Sequence, residues 1–181
     1  MKILVLNAGS SSQKSCLYQI DENKLPETAP HALWEAQIDW THQQGVAELK
    51  VKTHTGVTFK QTIASESRLD SFHTSLRHGD VGDSRAVRLD PPKEAAPTRT
   101  QDTEKMLQTL WSGNTQVIDR LSEIDIVGHR VVHGGREYQQ STLINDEVKA
   151  AIARLSVFAP IHNPVNLEGI KAIEQLLGDV P

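Results

Sequence analysis

The sequence holds one cysteine, Cys16. A single thiol rules out an internal disulfide and fits a reducing compartment. Aromatic residues are scarce, at 4%, so a core has to be assembled mainly from Val, Ile, Leu and Ala. There is no excess of positive charge. The net charge of -4 leaves no electrostatic footprint for nucleic acid or an anionic membrane surface. No apolar run approaches the roughly 20 residues that a bilayer span needs. Met1-Lys2 leads directly into a strand-like segment, without the charged, apolar and small-residue regions of a signal peptide. These absences lead to the expectation of a cytoplasmic protein with neither nucleic acid nor membrane as a partner.

What is present is enough for one ordinary domain: 181 residues, 38% of them hydrophobic. Residues 2–7 form a continuous apolar run after Lys2, as in a strand buried on both faces. Residues 13–20, 31–38, 46–53 and 56–63 read as further strands, the last two forming a hairpin through "THTG". Residues 65–99, rich in Ser, Arg, Asp and Pro, read as a partly disordered surface insertion. Thr100 is placed to cap a helix that buries Thr103, Met106, Leu107, Leu110 and Trp111 and ends near Gly113. Residues 124–132 read as a strand running into Gly134-Gly135. Asn145 caps a second helix, and Asn163-Pro164 opens a third that Gly178 ends. The order of elements indicates an α/β or α+β class.

Two stretches carry chemistry. The first, "NAGSSSQK" (7–14), follows the opening strand. Consecutive small residues let backbone N–H groups converge into an anion-binding nest, and hydroxyls at Ser10, Ser11 and Ser12 add donors. Were the chain extended from residue 12, Ser12, Lys14, Cys16 and Tyr18 would share a face. Lys14 would then stand where an anion could use it, and Asn7 could orient a water or a metal-bound oxygen. A plain hairpin with solvated serines explains the same residues. The spacing is not that of a Walker loop.

The second stretch is "IVGHRVVHGG" (126–135). Alternation along a strand puts Arg130 on one face with Val132 and two glycines. A guanidinium there is either paired with a buried acid or borders a cleft, where its fork suits a small carboxylate or a phosphate. His129 and His133 are separated by about 13 Å on a strand, too far to share a metal ion. His162, in "APIHNP", precedes a helix and is a candidate site residue. Cys16 reads as a small packing residue, not a nucleophile.

Taken together and in order, "LVLNAGSSSQK", "VGHRVVHGG" and "APIHNPVNLEGI" resemble the N-terminal motifs of the acetate kinases. The resemblance covers most of residues 1–64 and 100–181. It implies an actin-like (ribonuclease H-like) α/β domain, a mixed sheet with flanking helices. It also implies the activity: Mg²⁺-dependent phosphoryl transfer between ATP and acetate, giving ADP and acetyl phosphate. By the same resemblance Asn7 helps hold Mg²⁺, and Ser10, Ser12 and Lys14 meet the transferring phosphoryl group and nucleotide phosphates. Arg130 binds the acetate carboxylate or acyl phosphate, Val132 and Ile161 wall the methyl group, and His162 lies in the active-site loop. The whole of 1–181 then corresponds to an N-terminal domain. The catalytic aspartate, in an "FDTAFH"-like strand, and the adenosine-binding domain are expected beyond Pro181. The isolated chain is therefore expected to be inactive, and its parent to be a homodimer. Two alternatives remain: half of a propionate or butyrate kinase, or a non-catalytic anion-binding or interaction module.

Overall fold

The computed structural model describes residues 1–24, 26–43, 46–64, 99–178 and 180–181. Strands β1 (Lys2–Ala8), β2 (Ser12–Gln19), β3 (Trp34–Gln43), β4 (Val46–Thr53) and β5 (Thr58–Ala64) form an antiparallel meander. Helix α1 (Arg99–Gln108) follows, and β6 (Ile126–His129) then returns to pair in parallel with β1. Helices α2 (Asp146–Arg154) and α3 (Asn163–Leu177) complete the chain. The sheet is six-stranded in the order β5-β4-β3-β2-β1-β6.

One face of the sheet is the core face. Leu4, Leu6, Leu17, Trp34, Ile38 and Leu49 are buried there against Met106, Leu107 and Leu110 after and within α1, and against Ile173 of α3. Each such aliphatic side chain contributes about 2 kcal/mol by leaving water. The few aromatics are used as anchors across the layers. Trp34 Nε1 donates to Thr109 Oγ1 at 3.1 Å, and Trp40 Nε1 donates to Asp102 Oδ2 at 2.9 Å. Both ties run from β3 to the α1 region. Helix α2 packs on α3 through Val148, Ile152 and Ile170.

The other face carries Val5, Asn7, Lys14, Cys16, Glu35, Gln37, Lys50 and Lys52, all exposed or half-buried. The apolar run 2–7 is therefore not buried on both faces as expected. Leu4, Leu6 and Ala8 point inward, while Val5 is 37% exposed.

Several boundaries also differ from the sequence reading. The third strand begins at Trp34, three residues later than expected, and extends to Gln43. Helix α1 begins at Arg99, so Thr100 is inside it and does not cap it, and it ends at Gln108. The expected insertion thus loses Arg99, and its residues 65–98 lie outside the described residues. Asn145 does cap α2, its side chain accepting from the Val148 N–H. Pro164 sits in the first turn of α3, and Gly178 ends it with φ 70°.

Candidate active site

The serine turn is held from the core side. The Gly9 N–H donates to Ser12 O at 2.8 Å and closes the turn. The Arg99 guanidinium, from the start of α1, donates to Gly9 O at 3.3 Å and Ser10 O at 2.5 Å. It lies 4.6 Å from the centre of the Trp40 ring, a cation–π stack that fixes its plane. The Trp40 N–H donates to Ser11 O at 3.0 Å. Three successive carbonyls are thereby drawn towards α1 and β3. All the peptide bonds described are trans, and in a trans peptide C=O and N–H point in opposite directions. The N–H groups of Ser10, Ser11 and Ser12 consequently face away from Arg99 and Trp40. That orientation is compatible in geometry with a nest, with Gly9 outside it because its N–H is used within the turn.

Pairing in the sheet brings the remaining polar residues alongside. Asn7 is opposite Lys14 in the β1–β2 ladder, so the two side chains share a face about 5 Å apart at Cβ. Ser12 and Lys14 share that face, as expected. The Arg130 N–H donates to Leu6 O at 3.0 Å and carries the parallel pairing one residue past β6. This sets Arg130 beside Asn7, with Nη1 3.4 Å from Asn7 Oδ1. That contact is long, and both side chains are exposed, so among the described residues the guanidinium fork meets no buried acid.

The strand expected over 124–132 is shorter, ending at His129. Alternation within a strand therefore does not explain why Arg130 and Val132 both point outward. The backbone beyond β6 is taken over by α3 side chains. The Val132 N–H donates to Asn166 Oδ1 at 3.1 Å, and the His133 N–H donates to Asn163 Oδ1 at 3.2 Å. Val132 remains 39% exposed, on the rim of the same region. Ile161 is 64% exposed in the loop before α3, and His162 is the residue preceding that helix. Phe158, also in this loop, meets His133 edge to face with ring centres 5.7 Å apart.

Asn7, Ser12, Lys14 and Arg130 are thus gathered at one end of the sheet. Val132 adjoins them along the chain, and Ile161 and His162 belong to the α3 side. A cavity of about 570 Å3, lined by Val127, His129, Tyr138, Ile152 and Ile170 among others, includes none of these site residues. Burial holds the His129 imidazole down to about 4, with Glu174 opposing the shift. Burial pushes the Cys16 thiol up against the lowering effect of Tyr18, which suits packing and not nucleophilic attack.

Asn7 contributes one neutral oxygen, and among the described residues no three His, Cys, Asp or Glu side chains gather into a metal site. Such a donor set fits a magnesium ion carried in on nucleotide phosphates, which needs only one or two protein oxygens.

Sequence reasoning missed Arg99, Asn163 and Asn166. Arg99 was assigned to the insertion. The two asparagines are visible in "HNPVN", but the sequence reading gives Asn163 only a helix-start role and Asn166 none.

Comparison with known proteins bears on the family and the fold. The model of the acetokinase family matches residues 83–181. The acetate kinase of Cyanothece sp. is 50% identical over 181 residues, covering 100% of this chain and 36% of that protein. That of Trichormus variabilis is 49% identical over 181 residues, covering 100% of this chain and 37% of that protein. The chain thus spans just over a third of the length of these curated relatives. Among solved structures, the Porphyromonas gingivalis acetate kinase superposes with a TM-score of 0.70 at 28% identity, over 99% of this chain and 35% of that one. A Francisella tularensis propionate kinase superposes at 0.66 with 23% identity, over 99% of this chain and 35% of that one, a likeness of fold alone. The six-stranded mixed sheet with flanking helices is consistent with an actin-like α/β fold. The chain belongs to the acetokinase family.

Proposed function

We propose that residues 1–181 form the phosphate- and acyl-binding wall of an acetate kinase, corresponding to its N-terminal domain. The reaction is ATP plus acetate to ADP plus acetyl phosphate. A carboxylate oxygen of acetate forms a new bond to the γ-phosphorus as the bond from phosphorus to the ADP oxygen breaks. Such a transfer asks the protein mainly for positioning and charge neutralisation. The observation that carries the reading is the placement of Arg130 beside Asn7, with Lys14 across the ladder from Asn7.

In this reading Arg130 takes the carboxylate or acyl phosphate with its exposed fork. The outward N–H groups and hydroxyls of Ser10 and Ser12, with Lys14, take the phosphoryl oxygens. Val132 and Ile161 supply the apolar side against the methyl group, and His162 flanks it. Asn7 would be a protein ligand of Mg²⁺, which when bound neutralises phosphate charge. The catalytic aspartate and the adenosine site are assigned to further polypeptide of the kind the longer relatives possess, and the protein to the cytoplasm.

The test is a hydroxamate assay for acetyl phosphate. The Cyanothece relative serves as the positive control. This chain alone is expected to fall at least about a hundredfold below it, a gap typical of losing essential groups. Joined to the remaining length of that relative, the chain is expected to regain turnover. Full activity of the chain alone would overturn the assignment of missing groups. No turnover in a folded joined protein would favour the non-catalytic module.

A further inference from the structure

Helix α3 opens with asparagines three residues apart, Asn163 and Asn166, which lie on one face. They are 0% and 3% exposed. Asparagine is a weak helix former, and a buried amide is costly unless its groups are paired. Two such residues in the first two turns of one helix therefore call for a reason.

Asn163 brackets His133 and also reaches Ile152 O with Nδ2 at 3.4 Å. Its Oδ1 accepts from the His133 N–H at 3.2 Å, and its Nδ2 donates to His133 O at 2.9 Å. Asn166 instead joins two distant segments. Its Oδ1 accepts from the Val132 N–H at 3.1 Å, and its Nδ2 donates to Ala8 O at 2.6 Å. Ala8 ends β1 and precedes the serine turn. Val132 lies two residues beyond Arg130. One planar amide therefore spans from the phosphate side of the site to its acyl side. The close approach this needs is visible one turn later, where a Cβ placed on Gly169 would lie 3.2 Å from Ala8 Cβ.

We propose that Asn166 is a positioning residue that sets the spacing between the serine turn and Val132. A phosphate seated at Ser10–Ser12 shifts the Ala8 end of the turn, and the rigid amide passes that shift to Val132. The inference rests on the reading of the serine turn as a phosphate site. It predicts that the two halves of the wall respond as one unit. Asn166→Asp separates the two bonds: the carboxylate still accepts from the Val132 N–H but cannot donate to Ala8 O, and it turns an oxygen towards that carbonyl. Asn166→Ala removes both.

The experiment uses the ¹⁵N-labelled full chain, amide hydrogen exchange without ligand, and titration with inorganic phosphate. In the unaltered chain, phosphate is expected to move the amide signals of Ser10–Ser12 and of Val132 together. In Asn166→Asp, Val132 is expected to keep its exchange protection, lose its response to phosphate, and bind phosphate about tenfold more weakly at the turn. In Asn166→Ala, Val132 exchange is expected to rise about tenfold as its acceptor is lost. Should the aspartate variant not fold, loss of the Val132 response in the alanine variant reads the same coupling. A Val132 response unchanged in the folded variants overturns the proposal and leaves the serine-turn reading standing. Unchanged Val132 exchange in Asn166→Ala overturns it as well. Absence of any phosphate shift at Ser10–Ser12 in the unaltered chain overturns the serine-turn reading and the proposal with it.

Discussion

Arg130 is exposed, one residue past the end of β6, and held there by its own backbone through Leu6 O. Among the described residues its side chain has one long contact, to Asn7, and no ion pair that the fold requires. Removing it should therefore cost binding and catalysis with little effect on folding. In the chain joined to the remainder of a full-length relative, Arg130→Ala is expected to raise KM for acetate and lower kcat. The combined loss in kcat/KM should be about a hundredfold or more, as for other charge-bearing ligands of a transferring group. A change in melting temperature without a change in kinetics would make Arg130 structural. The pairing of Arg130 with Asn7 was not legible in the sequence, because 123 positions separate them. That Arg130 either pairs with a buried acid or borders an open region was legible, from a cation among glycines and valines, and its exposure favours the second. Arg99 was illegible for another reason: in the serine turn it binds backbone carbonyls, which carry no residue-type signal.

At the level of elements, the strands were easiest to find, because β1 to β5 carry apolar residues with period two or a continuous apolar run. The segment after β6 was overextended. "RVV" has strand propensity, but Asn163 and Asn166 take the backbone groups that a neighbouring strand would need. Tertiary partners decided the boundary, and local propensity lost. The next residues show what that exchange permits. The Tyr138 N–H donates to Gly134 O at 3.0 Å, and a Cβ on Gly134 would lie 2.2 Å from Tyr138 O. Backbone cannot yield as a flexible side chain can. Gly134→Ala is therefore expected to open this turn and destabilise the chain by about 2–3 kcal/mol, the range for overpacking at a rigid neighbour. Urea unfolding monitored by tryptophan fluorescence would measure it. A loss under about 0.5 kcal/mol would show that the turn relaxes freely.

For the molecule as a whole, His129 ties stability to pH. Burial lowers its folded pKa from 6.5 to about 4. The unfolded chain therefore takes up a proton first as pH falls below about 6.5, while the folded one resists. The stability associated with neutral His129 is complete above that pH and is lost between about 6.5 and 4, at most about 3 kcal/mol. The groups facing it include Glu174, whose charge opposes part of the shift. Denaturant midpoints measured from pH 7 to 4.5 should fall, and His129→Gln should flatten the curve over this window. An equally steep fall in the variant would assign the dependence to other groups.

The parallel β1–β6 pair joins Leu6 to His129, and the proposed site sits at that seam. The five-stranded meander pairs neighbours in sequence, whereas the seam closes a loop of more than a hundred residues. Contacts of such long range form slowly. The order of assembly follows: the meander can form before the seam, so Asn7 and Lys14 meet early and Arg130 arrives last. Closure entropy grows only with the logarithm of loop length, so excising residues 65–98 would change that cost by only about 0.3 kcal/mol. A refolding chain would therefore gain the Arg130 share of its anion affinity as its final event, and a late tightening of phosphate binding in stopped flow would serve as a clock for the docking of β6.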